Sequence, residues 1–245
     1  GGLTQALAAC ARSHGATILT DAEIARVIVR DGRAVGVELV NGDTYSAKVV
    51  VSNADPKTTY LRLVGAEHLD AETVAEVESY KTFSTAFKIN FALDRLPDYT
   101  AFDREAMGVP YPTYVHLGPT IEYLERAYDD AKYGRPSESP ILECTIPSTV
   151  DPTVAPPGKH LMSMFVQYAP THLRDANWDD AKEKFADRCF DVLSEYAPNF
   201  RRSVIDRQVL SPLDIERRFA LTGGNIFQGA MTLGNLFFLR PVAGY

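Results

Sequence analysis

The 245 residues contain no glycine-rich phosphate loop: the Gly-x-Gly-x-x-Gly pattern that opens a dinucleotide-binding βαβ unit is missing. Cysteine is scarce as well. Cys10, Cys144 and Cys189 are odd in number and widely spaced, which argues against a disulfide framework or a Cys-x-x-Cys zinc site and for a reducing, cytoplasm-like compartment. The five histidines lack His-x-x-x-His spacing, so no metal is expected. Basic clusters go no further than Arg201-Arg202 and Arg217-Arg218, and with a net charge of -7 the chain offers no stripe for nucleic acid. Neither a basic leader nor a long apolar run is visible, so a signal peptide and an integral membrane span are not expected. Gly-x-Ser-x-Gly and a Ser/His/Asp ordering are absent too, which makes a hydrolase a poor reading. The chain does not start with Met, and sequence upstream of Gly1 is expected.

What remains is ordinary globular composition, 45% hydrophobic and 23% charged, enough for one large or two small domains. Leu3, Ala6, Leu7, Cys10 and His14 recur at helical spacing and stop at Gly15. A short strand is expected over Ala16 to Leu19. Asp31-Gly32 and Asn41-Gly42 are dipeptides that accept positive φ, so they join strands Ile24 to Arg30, Ala34 to Val40 and Thr44 to Lys48 into a meander. The apolar run Val49 to Ser52 reads as a buried strand entering a larger sheet.

Beyond Pro56, two short helical patterns lead into "TFSTAFKINFALD". Alternation there puts Phe87, Ile89, Phe91 and Leu93 on one face and Ala86, Lys88, Asn90 and Ala92 on the other. A Pro-containing loop is expected from Leu96 to Tyr114 and a helix from Ile121 to Lys132, closed by Gly134. Further strands are read at Ile141 to Ile146, Leu161 to Tyr168 and Val204 to Leu210. Between the last two lies a helix, Trp178 to Tyr196, with an apolar stripe running from Trp178 through Phe185, Cys189 and Leu193. Ser211, Pro212 and Asp214 form a helix start. The carboxylate pairs Asp129-Asp130 and Asp179-Asp180, with Asp214 and Glu216, read as solvated helix surface. Phe83, Phe87, Phe91, Phe165, Tyr168, Phe227, Phe237 and Phe238 are either core or the lining of an apolar channel.

The order helix, strand, meander and a strand ending in Ser-Asn-Ala-Asp-Pro resembles the second segment of a glutathione-reductase-type FAD domain. With "GGLTQALA", "SPLDIERRFALTGGNIFQGAMTL" and "FFLRPVAGY", the chain is similar to the phytoene-desaturase-like branch of the flavin amine oxidase superfamily. One departure is Gln228, which stands before Gly229 where the branch pattern has His. The resemblance implies an α/β (α+β) fold: residues 1–56 as a partial FAD domain, 57–210 as a mixed-sheet substrate domain with flanking helices, and 211–245 returning toward the FAD domain. It explains the missing loop, because in such proteins the phosphate-binding glycines lie on an earlier βαβ unit.

By the same resemblance the cofactor is FAD and the activity an oxidoreductase that passes hydride from a C–H of an apolar or amine small molecule to the flavin. A homodimer is compatible with it. Ile24 falls where a strand backbone binds adenine, or is a plain buried strand residue. Ser52, Asn53 and Ala54 fall at a flavin-side strand end, or form an Asx-type turn into the next helix. Lys88 resembles the lysine that holds a water near flavin N5, where an ammonium would stabilise developing negative charge; its alternative is a solvent-facing strand lysine. The rival reading from another class is a non-catalytic binding or assembly module with no flavin turnover.

Overall fold

The computed structural model describes residues 2–242. Contacts divide the chain into two compact units, Gly1–Ser79 and Tyr80–Tyr245.

The first unit opens with helix α1 (Gly2–Ser13), followed by strands β1 (Ile24–Arg30), β2 (Arg33–Leu39) and β3 (Thr44–Ser46) in an antiparallel sheet of order β1-β2-β3. Asp31 and Gly32 both take positive φ, 51° and 70°, as the tight turn requires. The second link is built differently: only Gly42 is left-handed, while Asn41 Oδ1 accepts from the Asp43 backbone N–H at 3.0 Å. Backbone bonds close this turn, the Leu39 N–H donating to the Asp43 carbonyl at 2.8 Å and the Gly42 N–H to the Leu39 carbonyl at 3.0 Å, and the Asn41 side chain braces it.

Two expected strands do not form. Ala16 to Leu19 and Val49 to Ser52 are extended, but neither pairs with a strand among the described residues. Val49 and Val51 are 74% and 88% exposed rather than buried. An apolar run of that length states a need for cover, and among the described residues no strand pairs with it. The unit continues through a π-helical segment, Thr58–Gly65, which packs on β1, and ends in helix α2 (Ala71–Ser79).

In the second unit the elements run β4 (Ala86–Leu93), α3 (Arg104–Met107), β5 (Tyr114–Leu117), α4 (Ile121–Lys132), β6 (Ile141–Thr145), β7 (His160–Gln167), α5 (Trp178–Tyr196), α6 (Phe200–Ser203), β8 (Val204–Leu210) and α7 (Pro212–Phe219). The strands form one sheet of order β5-β6-β7-β4-β8. The α/β class holds, but the sheet is not mixed: every pairing is antiparallel. That agrees with the alternation of β4, because an antiparallel sheet can bury one face and leave the other polar, whereas parallel sheets are covered on both.

The buried face carries Phe87, Ile89, Phe91 and Leu93 of β4, Met162, Met164 and Val166 of β7, and Leu142 and Cys144 of β6. Helix α5 lays Trp178, Phe185, Cys189, Phe190 and Leu193 against it. Rings interlock there: Phe87 meets Phe185 edge-on at 4.9 Å, and Phe91 meets Phe200 edge-on at 5.2 Å. Trp178 Nε1 donates to the Pro170 carbonyl at 2.8 Å, so its polar atom is satisfied inside the core.

Helix α7 begins with a reciprocal cap, as its sequence indicated. The Asp214 N–H donates to Ser211 Oγ at 3.1 Å, and the Ser211 N–H donates to Asp214 Oδ2 at 3.0 Å. The segment after it is stapled to the residues before β4. Asn225 Nδ2 donates to the Phe83 carbonyl at 2.7 Å, and the Ala230 N–H donates to the Lys81 carbonyl at 2.7 Å. Glycine is required at Gly224, where φ is 66° and a Cβ would sit 2.1 Å from the Pro212 carbonyl oxygen.

Candidate functional site

Strand β4 is central in its sheet, so each of its open-face side chains has neighbours on both sides. Lys88 stands opposite Phe165 of β7 and Leu210 of β8. Its Nζ donates to Ser163 Oγ at 2.5 Å, one pleat along β7. Half-burial of the ammonium against these strands lowers its pKa from the ordinary lysine value, because a low-dielectric surrounding disfavours the charged form. Lys88 is therefore a positioned side chain, whereas an ordinary strand lysine extends a mobile head into water.

Phe165 stands opposite Lys88 on one side and Glu143 of β6 on the other. Glu143 in turn accepts from the Tyr114 hydroxyl at 3.0 Å and lies 4.0 Å from His116 Nδ1, both on β5. Burial, followed by the hydrogen bond and charge of Glu143, pushes the Tyr114 phenol up. One face of the sheet thus carries a cation, an aromatic ring and a carboxylate side by side.

Next to Phe165 a cavity of about 290 Å³ opens between the start of β4, the end of β7 and residues 225–232. Phe83, Tyr128, Phe165, Tyr168, Phe227 and Met231 are among its walls. The eight aromatics singled out from sequence therefore part three ways. Phe87 and Phe91 are core; Phe83, Phe165, Tyr168 and Phe227 line the cavity; Phe237 and Phe238 lie on the surface, 86% and 81% exposed.

The other residues chosen from sequence lie in the first unit. Ile24 is the first residue of β1, an edge strand whose outer side has no strand partner among the described residues. Ser52 and Asn53 are exposed, and Ala54 is half-buried. The Ser52 hydroxyl is shared with Thr59 Oγ1 at 2.8 Å and takes the Ala54 N–H at 3.3 Å. Asp55, almost fully buried, then caps the π-helical segment, accepting from the Thr58 N–H at 3.1 Å and the Thr58 hydroxyl at 2.7 Å. The local geometry here is a hydroxyl turn followed by an Asp cap.

Ser163, Glu143, Tyr114 and His116 were not read as site residues. One signal was available: "HLMSMFVQ" alternates Met162, Met164 and Val166 with Ser163, Phe165 and Gln167, which marks a second strand with one polar face. Pairing that strand with "AFKINFAL" would have set Ser163 and Phe165 beside Lys88.

The chain is thus an α/β protein of two units, the second with a half-open antiparallel sheet that sets Lys88 beside an aromatic cavity on its open face. Comparison places it more narrowly: the chain belongs to the flavin containing amine oxidoreductase family, whose model matches residues 1–216. The cofactor that the family implies is FAD.

The chain is 43% identical over 249 residues to pyridine nucleotide-disulfide oxidoreductase domain-containing protein 2 of Rattus norvegicus, a match covering 99% of this chain and 43% of that protein. It is 28% identical to a lycopene-forming phytoene desaturase of Pseudescherichia vulneris, over 93% of this chain and 44% of the relative. The chain thus spans less than half the length of these curated relatives. Among solved structures, an oxidoreductase from Methanosarcina mazei shares the fold with a TM-score of 0.54 at 20% identity, covering 84% of this chain and 41% of that one.

Among the described residues no group of His, Cys, Asp or Glu is arranged to hold a metal ion, and no helix is long and apolar enough to cross a membrane.

Proposed function

We propose that these residues work within a longer FAD-dependent oxidoreductase of the phytoene dehydrogenase-like kind, which oxidises a C–H of an apolar or amine small molecule. The observation that carries the reading is Lys88, half-buried, held by Ser163 and set beside the aromatic cavity on the open face of the sheet. The bound flavin would supply the two-electron redox step, accepting hydride.

The residues present fit part of that cofactor. The free outer edge of β1 at Ile24 offers a backbone N–H and C=O to adenine, a contact independent of the side chain. Ser52, Asn53 and Ala54 are assigned the flavin-side strand end. Their turn is partly exposed, with the Ser52 hydroxyl committed to Thr59 and the Ala54 N–H and C=O committed to Ser52 and Thr59. The pyrophosphate cradle is the part for which this chain offers no glycine loop.

Within this reading the protein's own groups do three things. Lys88 supplies a fixed positive charge and can hold a water by one of its remaining N–H groups. Ser163 fixes the lysine rotamer. The aromatic walls exclude solvent from the bound substrate, which strengthens every electrostatic contact inside.

The reading is supported by the family, by relatives more than twice as long as this chain, and by the site geometry. Its test is Lys88→Met in a polypeptide that carries these residues and binds FAD. Flavin reduction or reoxidation should slow by tenfold or more with the FAD retained; unchanged rates of both half-reactions remove Lys88 from the mechanism. Fluorescence titration of the 245-residue chain alone with FAD should show weak binding or none. Tight one-to-one binding there would overturn the partial site.

A further inference from the structure

The cavity beside Phe165 has a lining that narrows what can occupy it. None of its lining side chains carries a charge. A larger cavity of about 510 Å³, between residues 134–138 and the start of α5, is the opposite case, with Arg135, Glu138, Asp175, Asp180, Lys184 and Arg188 in its walls. In the smaller cavity, aromatic rings come from four separate stretches of chain: Phe83 before β4, Tyr128 on α4, Phe165 and Tyr168 at the end of β7, and Phe227. Tyr128 and Tyr168 brace each other edge-on at 5.5 Å, and burial pushes the Tyr168 phenol up, so that hydroxyl stays neutral at physiological pH.

Two of the polar side chains of the lining, Asn225 and Ser84, are spent on architecture. Asn225 Nδ2 donates to the Phe83 carbonyl, and its Oδ1 accepts from the N–H groups of Phe227 and Gly229. Ser84 Oγ takes the Ala86 N–H. Gln167, on the open face of β7, is the amide side chain of the lining with no hydrogen bond to the other described residues. At a share of about 30 Å³ for a water-sized group in a liquid, 290 Å³ holds on the order of ten non-hydrogen atoms.

We infer that this cavity binds a compact, uncharged, hydrocarbon-rich molecule of about ten non-hydrogen atoms, with the Gln167 amide available to a polar group on it. The inference rests on the oxidoreductase reading for its meaning as a substrate site and decides within it for the apolar class over the amine class. A cationic amine would find aromatic faces but no carboxylate in the lining. A long polyene would leave most of its length outside.

The chain has four methionines, Met107, Met162, Met164 and Met231, and only Met231 lines the cavity. Methyl-labelled methionine NMR of the 245-residue protein therefore gives one reporter at the site and two, Met162 and Met164, in the core. Naphthalene should shift the Met231 signal saturably and leave the core signals in place. Benzyltrimethylammonium, of similar size but cationic, should shift it at least tenfold less readily. Thr232→Trp, which puts an indole in place of a small lining side chain, should weaken naphthalene at least tenfold while the core signals confirm the fold. No saturable shift, equal response to the cation, or undiminished binding in a folded Thr232→Trp variant would each overturn the inference. The titration needs no flavin, so its failure leaves the oxidoreductase reading standing, and unchanged kinetics in the Lys88→Met test would leave the titration result standing.

Discussion

The two units differ in how far each satisfies its own apolar surface. The second packs a sheet face, a long helix and a short one around Phe87, Ile89, Phe91, Leu93, Met162, Met164 and Leu193, all fully buried. The first buries Val27, Leu39, Leu63 and Val77, yet leaves Leu3, Leu7, Leu19, Val49 and Val51 between 52% and 88% exposed. Helix α1 has no buried residue at all. A sheet of three strands, with a helix that buries no residue of its own, is near the lower limit of what holds together in water. The second unit is therefore expected to dominate the stability of the chain, and the first to open locally at lower cost.

The largest effect should come from the core of the second unit. Phe91 is completely buried and touches the rings of both Phe190 and Phe200. Phe91→Ala should cost about 3–5 kcal/mol, the lost transfer energy plus the cavity left behind. Trp178, the single tryptophan and almost fully buried, makes urea unfolding followed by its fluorescence a reporter of this unit alone. A loss below about 1 kcal/mol would mean that the core repacks freely and that the contrast between the units is overstated.

Most of the second unit was legible because its signals are local. Helix α5 and strand β8 have the limits that periodicity gave them, and the Ser211 cap forms as its spacing predicts. Strand β5 was missed: Pro110, Pro112 and Pro119 surround four residues, and proline at that density reads as loop even where a short edge strand fits between. In the first unit the errors run the other way. Val49 to Ser52 has the composition of a buried strand, and composition reports the need for a partner without reporting where the partner is. The site was half legible for a related reason. Lys88 shows in the alternation of its own strand, but Ser163 and Glu143 reach it through pairings between distant segments, which no short-range pattern encodes.

A smaller effect is expected at the start of α7. Burial works against the Asp214 carboxylate, but the Ser211 N–H and hydroxyl and the Lys182 ammonium outweigh it and hold its pKa below the ordinary value. A carboxyl depressed in the folded state contributes its stability above the unfolded value, about 4, and loses it as pH falls through the lower folded value. Ser211→Ala removes the cap on the Asp214 N–H and one of the bonds that depress the carboxyl. It should cost about 1 kcal/mol at neutral pH, and less below pH 4, where the wild-type bond is itself being lost. Urea titrations at pH 7 and pH 3 check both; an equal cost at the two values would show that the cap acts without the carboxylate charge.

The smallest effect should fall on Leu7, 63% exposed on α1. Alanine is at least as good a helix former as leucine, so Leu7→Ala has no propensity cost, and with no packing partner to lose it should change stability by less than about 0.5 kcal/mol. Hydrogen exchange of the β1 and β2 amides in the first unit is the measurement, since Trp178 does not report there. The same substitution in a longer polypeptide that supplies cover for α1 should cost about 2–5 kcal/mol, as buried leucines do. A large cost already present in the 245-residue chain would show that α1 is packed in solution. The two units would then differ less in how far each covers its own apolar surface than the exposures of Leu7, Val49 and Val51 indicate.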